Sequence, residues 1–126
     1  MKNKKHHRKE HESPYVISEL GWKYHHLGIP TEVSIPGERY LEEYGMYVSG
    51  FESSPYGVEW MRFEEGSPLS EIIQTLPHIA FEVDDLDREI KGKELIGEIT
   101  SPMEGVRSAM IKENGAPIEL IEFKRK

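Results

Sequence analysis

From Lys23 onward, apolar positions alternate with polar or small ones at a period close to two. This is the spacing of strands that bury one face. The clearest run is Leu76 to Asp87. Ile79, Phe81 and Val83 fall on one face of it, and His78, Ala80 and Glu82 on the other. The apolar face can pack under a helix, which Asp84 or Asp85 can cap and which is expected from Leu86 to about Leu95. The second face sets a histidine beside a small residue. A metal ligand inside a curved sheet needs that arrangement, a ring with free space next to it.

Lys23 to Pro30 repeats the pattern: Leu27 and Ile29 share one face, His26 and Gly28 the other. His26-Leu27-Gly28-Ile29 thus aligns with His78-Ile79-Ala80-Phe81. Alternation selects His26, whereas a slip of one residue would turn His25 inward instead. Met46 to Phe51 and Val58 to Phe63 read as strands joined by the turn-rich bridge Ser53 to Gly57. Before them, Pro14 to Leu20 reads as a lead-in strand or a turn of helix, and Pro36 to Tyr44 as a short polar link with helical character. Glu64 to Ser67 is a turn, and Leu69 to Thr75 connects the halves.

In the second half, strands are expected around Ile96 to Thr100, at Arg107 to Lys112 and at Pro117 to Phe123. The turn 101–105 follows the first, and the hairpin signal Glu113-Asn114-Gly115 precedes the last. Glu119, Ile121 and Phe123 share a face, as Glu59, Met61 and Phe63 do. Each half therefore opens on a histidine strand and closes on a glutamate strand, an internal repeat. The first copy is shorter: His26 precedes Glu59 by 33 positions, and His78 precedes Glu119 by 41.

Composition narrows the class. At 126 residues, with 37% hydrophobic and 31% charged residues, the chain suits one globular domain. That domain is expected over residues 14–126, with modules at about 20–66 and 74–126. Residues 1–13, basic and rich in histidine, read as a mobile tail outside it. A formal charge of −7 argues against general nucleic-acid binding, and no apolar run is long enough to span a bilayer. The absence of cysteine excludes disulfides and thiolate metal sites and fits a cytoplasmic location. Arg62, Arg107 and Lys112 could meet an anionic substrate, although solvation at the surface is the commoner role for such residues.

Two histidines and two glutamates at matching places would converge if the halves pair about a twofold axis. Imidazole with carboxylate suits Zn, Ni, Co, Mn or Fe. Each residue also has a plainer reading: a strand histidine is often a hydrogen-bonded core residue, and a glutamate near a chain end is often solvated. Glu59 and Glu119, however, sit in apolar strands, where a bare carboxylate is costly unless it is paired or bound to a metal.

In His26-Leu27-Gly28-Ile29, Val58-Glu59-Trp60-Met61, His78 to Asp85 and Gly115 to Leu120, the chain resembles the vicinal oxygen chelate superfamily. That superfamily includes glyoxalases, methylmalonyl-CoA epimerases, extradiol dioxygenases and the bleomycin and fosfomycin resistance proteins. The resemblance implies an α+β fold of paired βαβββ modules in an open, cupped sheet, here with the first module shortened. It implies His26, Glu59, His78 and Glu119 as metal ligands, and the two facing carboxylates are the catalytic candidates, Glu59 or Glu119 acting as general base and then as general acid. A carboxylate in both modules looks more like the glyoxalases and epimerases. The activity implied is that of a metal-dependent isomerase, epimerase or lyase, removing a proton next to a carbonyl through a metal-stabilised enediolate. Two alternatives follow from the same resemblance. One is a non-catalytic, antibiotic-type binding protein with a cavity lined by Trp60, Tyr56 or Phe63. The other is a metal-dependent dioxygenase or thiol transferase. A small-molecule substrate and a homodimer are the implied partners.

Overall fold

A computed structural model describes residues 8–124 of the chain. Of the basic tail, residues 1–7 lie outside the described residues. After a single helical turn, α1 (Tyr15–Ser18), come β1 (Lys23–Pro30), β2 (Arg39–Leu41), β3 (Met46–Ser49) and β4 (Val58–Phe63). The second half holds α2 (Glu71–Thr75), β5 (His78–Glu82), α3 (Leu86–Glu89), β6 (Thr100–Met103), β7 (Val106–Glu113) and β8 (Ala116–Phe123). The eight strands form one mixed sheet in the order β2-β3-β4-β1-β5-β8-β7-β6. The order is symmetric about its centre. β1 and β5 pair antiparallel, and each has the last strand of its own half, β4 or β8, parallel on its other side. This is the α+β cupped sheet that the resemblance implies.

Three local expectations need correction. The helix after β5 spans only Leu86–Glu89. Asp85 caps it by accepting from the Arg88 N–H at 3.2 Å. The chain then turns at Gly92, with φ at +76°, a conformation that suits glycine and ends a helix. From there Glu94 to Ile96 runs beside β7, bonded to it through Ile96 N–H to Met110 O and Lys112 N–H to Glu94 O. This diversion moves the next strand from the expected 96–100 to Thr100–Met103, inside the segment read as a turn. The link 36–44 contains a strand as well as a 3-10 turn, because Arg39–Leu41 adds to the free edge of β3. The connector before β5 ends in the helix Glu71–Thr75, capped by Ser70. Among the described residues, no helix is long and apolar enough to cross a membrane.

Burial follows the alternation. Ile79, Phe81, Ile118, Leu120, Ala109 and Ile111 point to the outer face of the second half, where Trp22, Leu86, Val16 and Ile90 cover them. Leu86 and Leu120 are fully buried there. On the inner face of the first half, Met46, Val48 and Met61 pack with Leu41, Tyr44, Phe63 and Leu69. Trp60 alternates to the opposite face from Met61 and is 37% exposed. At the β7–β8 hairpin, Asn114 and Gly115 both have positive φ, 50° and 82°, the conformation that an Asn-Gly turn supplies.

Candidate metal centre

The register of the central strands builds the site. His26 of β1 stands opposite Ala80 of β5, and Gly28 opposite His78. On the flanks, Gly28 neighbours Glu59 of β4, and Ala80 neighbours Glu119 of β8. Two rows therefore cross the inner face: Glu59-Gly28-His78 and His26-Ala80-Glu119. Each carries one histidine, one glutamate and a small residue between them. The small residues leave room over the sheet, and the long side chains lean into it.

The donor atoms meet there. His26 Nε2 lies 3.3 Å from His78 Nε2 and 3.4 Å from Glu119 Oε1, and His78 Nε2 lies 3.0 Å from Glu119 Oε1. Donor atoms bonded to one ion at about 2.1 Å stand roughly 3.0–3.4 Å apart in octahedral or tetrahedral geometry, so these separations fit a first-row divalent metal. His26, His78 and Glu119 form the group that could hold an ion among the described residues. The fourth expected residue, Glu59, approaches one corner: its Oε1 is 3.6 Å from His26 Nε2. Both histidines are buried, and His78 Nδ1 is buried without a hydrogen-bond partner among the described residues.

The two carboxylates are held differently. Glu119 Oε2 accepts a 2.6 Å hydrogen bond from the buried Ser108 hydroxyl, which leaves Oε1 to the histidines. Burial alone would raise the Glu119 pKa. Its hydrogen bonds to His26 and His78, and their charge, outweigh burial and hold it well below the usual carboxylate range. Glu59 makes no hydrogen bond to a described residue, and burial pushes its pKa up despite the opposing pull of His26. For His26, burial acts downward, but the hydrogen bond and charge of Glu119, joined by Glu59, raise its pKa above that of ordinary imidazole.

Two contributors escape single-strand pattern reading. Ser108 is visible only once β7 is registered against β8: Ser108 pairs Ile121, and thus shares the inner face with Glu119. Arg39 sits opposite Val48, in line with Met61, and its charge reaches Glu59. The three cations first considered for substrate are otherwise engaged. Arg62 pairs with Glu38 and lies over the Tyr47 ring, Arg107 pairs with Asp87 and Glu122, and Lys112 pairs with Glu94. The aromatic cavity expected of a binding protein does not assemble from its three residues. Trp60 faces away from Glu59, Tyr56 is 77% exposed on a turn, and Phe63 packs with Met46, Val48 and Met61.

Comparison with known proteins finds no matching family model and no significant match among curated proteins. Solved structures do match. A hypothetical protein from Bacillus halodurans C-125 superposes with a TM-score of 0.63 at 21% identity, over 83% of this chain and 96% of that one. Methylmalonyl-CoA epimerase from Mycobacterium tuberculosis superposes with a TM-score of 0.57 at 20% identity, over 82% of this chain and 89% of its own. These likenesses establish the fold.

Proposed function

We propose that the chain is a metal-dependent enzyme of the vicinal oxygen chelate type that removes a proton from carbon next to a carbonyl, acting as an epimerase, isomerase or lyase. Its fold likeness to an epimerase supports this reading, as does the His-His-Glu group. The observation that carries it is the unequal hold on two facing carboxylates. Glu119 is fixed by Ser108 and both histidines, whereas Glu59 is free of hydrogen bonds among the described residues and is less acidic than usual. A base serves best when it is not tied down and when its pKa is raised toward working pH, and Glu59, without a hydrogen bond to a described residue and raised by burial, leans that way on both counts.

His26, His78 and Glu119 would hold a divalent ion, with Glu59 at its edge. The ion would supply Lewis-acid stabilisation of the oxyanion that develops on the substrate carbonyl. Glu59 would take the proton as the C–H electron pair moves toward the carbonyl oxygen. In an isomerase it would then deliver that proton to the neighbouring carbon. In an epimerase the proton must return to the same carbon from the opposite face, a delivery that would fall to Glu119 once it had left Ser108 and gained a proton.

Proton washout in deuterium oxide tests this, followed by NMR on a panel of α-substituted carbonyl compounds and thioesters, with methylmalonyl-CoA as first probe. Glu59→Gln should keep the metal and lose α-proton exchange, by at least about a hundredfold. Exchange that survives both Glu59→Gln and Glu119→Gln removes the acid–base roles. One observation favours a second reading. Two histidines and one carboxylate, with Glu59 set slightly apart, also match the ligand set of non-haem iron oxygenases. Preference for ferrous iron, with oxygen uptake in the presence of a catechol, would select it.

A further inference from the structure

His25 and His26 both face the inside of the cup, although adjacent strand residues ordinarily face opposite ways. The cause is a break in register between Tyr24 and His26 on β1. Tyr24 pairs with Phe81, whose side chain belongs to the outer core, and His26 pairs with Ala80 on the inner face. The extra residue of this bulge is His25, and a bulge re-aims a side chain in this way. The His25 ring stacks on Phe51 at 5.0 Å with an interplanar angle of 18°, and meets Phe123 at 5.5 Å. Its Nδ1 lies 2.8 Å from His26 Nδ1.

We propose that His25 is the positioning residue of the centre: its Nδ1 accepts the Nδ1–H of His26 and holds that ring in the tautomer whose Nε2 lone pair faces His78, Glu119 and Glu59. The inference rests on the metal reading above and adds to it a residue that touches none of the donor atoms. An imidazole ligates through a bare nitrogen, so the proton must sit on the other one, and an acceptor there fixes both tautomer and ring angle. Carboxylates or backbone carbonyls usually serve as that acceptor; here a second imidazole stands in the position. The two candidate ligands differ in this respect, since His78 Nδ1 is buried without a partner among the described residues. The cup therefore fixes one histidine by a hydrogen bond, and the other by its fit between strands. Phe51 and Phe123 hold the acceptor ring in turn, by packing.

The test uses the full chain and zinc. In zinc-loaded wild-type protein labelled with nitrogen-15, the expected result is a proton on His26 Nδ1 and a scalar coupling across the hydrogen bond to His25 Nδ1. A proton found on His26 Nε2, or no coupling between the two Nδ1 atoms, overturns the proposal without any variant being made. Chelator competition then compares His25→Phe, which keeps an aromatic ring and removes the acceptor, with His25→Gln, which restores a carbonyl oxygen. His25→Phe should bind zinc about 10–100-fold more weakly, with metal-free thermal stability close to wild type, and His25→Gln should recover most of the loss. Equal zinc affinity in wild type and His25→Phe overturns this inference and leaves the metal site standing. Failure of the wild type to bind zinc, nickel or cobalt overturns the metal reading itself, and this inference with it.

Discussion

Gly28 and His78 face each other across β1 and β5, and the imidazole fills the space that any side chain at position 28 would need. A Cβ built on Gly28 would fall 2.8 Å from His78 Nδ1 and 2.9 Å from Nε2, and nearer still to Cε1. Those atoms belong to a ring, so relief requires the ring to swing away. Gly28 is thus a cradle for a candidate ligand, and its backbone φ is not what calls for glycine here. Gly28→Ala should lower metal affinity at least about tenfold and cost roughly 1–3 kcal/mol of stability. In a His78→Ala background the stability cost should largely vanish, which a double-mutant cycle by denaturant unfolding would read.

Ser108 donates to Glu119 and thereby directs one carboxylate oxygen at the histidines. Ser108→Ala removes the partner of the other oxygen, Oε2, in a partly buried place. The expected cost is about 1–2 kcal/mol of stability and up to about tenfold in metal affinity, with Ser108→Thr milder on both. Urea unfolding and chelator competition on the two variants check this.

The metal-free protein should respond to pH with opposite signs at the two ends. Glu119 has a folded pKa below its ordinary value of 4.5, so its contribution to stability is present above that value and is lost as pH falls through the folded pKa. His26 has a folded pKa above 6.5; its contribution is full below 6.5 and is lost as pH rises through the folded pKa. Glu59, raised above 4.5 by burial, also makes the folded state bind more protons and lose stability with rising pH just above that value. Bound metal requires deprotonated ligands and should reverse the alkaline trend. Melting curves from pH 4 to 9, with and without zinc, should therefore diverge as pH rises, and His26→Gln should abolish the divergence.

The core offers a control that leaves the site alone. Leu120 is fully buried on the outer face of β8, one residue from Glu119 but on the opposite side of the sheet. Leu120→Ala should cost about 2–5 kcal/mol while zinc affinity per folded molecule changes little. A comparable loss of affinity would mean that strand packing, rather than the inner-face residues, sets the centre.

The sheet was legible because period-two alternation runs through β4, β5 and β8 and through β1 from His26 onward, and sets His26, Glu59, His78 and Glu119 on one face. The bounds of β1 and β4 are those expected from sequence. What alternation could not show is where it fails. At Tyr24–His26 a bulge turns two neighbouring histidines the same way, so the choice between His25 and His26 was a false one. Ser108 could not be picked out because its partner lies across a hairpin, and a serine in a strand has no pattern of its own. The helix expected from Leu86 to about Leu95 spans one turn only. Gly92 breaks that helix, and Leu95 bridges to Ile111 instead.

The most direct measurement is the metal content and affinity of purified full-length protein, set beside His26→Ala, His78→Ala and Glu119→Gln after equal treatment with chelator and reloading. The account predicts one tightly held divalent ion per chain, lost or weakened at least about a hundredfold in each variant. Absence of a stoichiometric ion in the wild type, or equal retention by all four proteins, would contradict it.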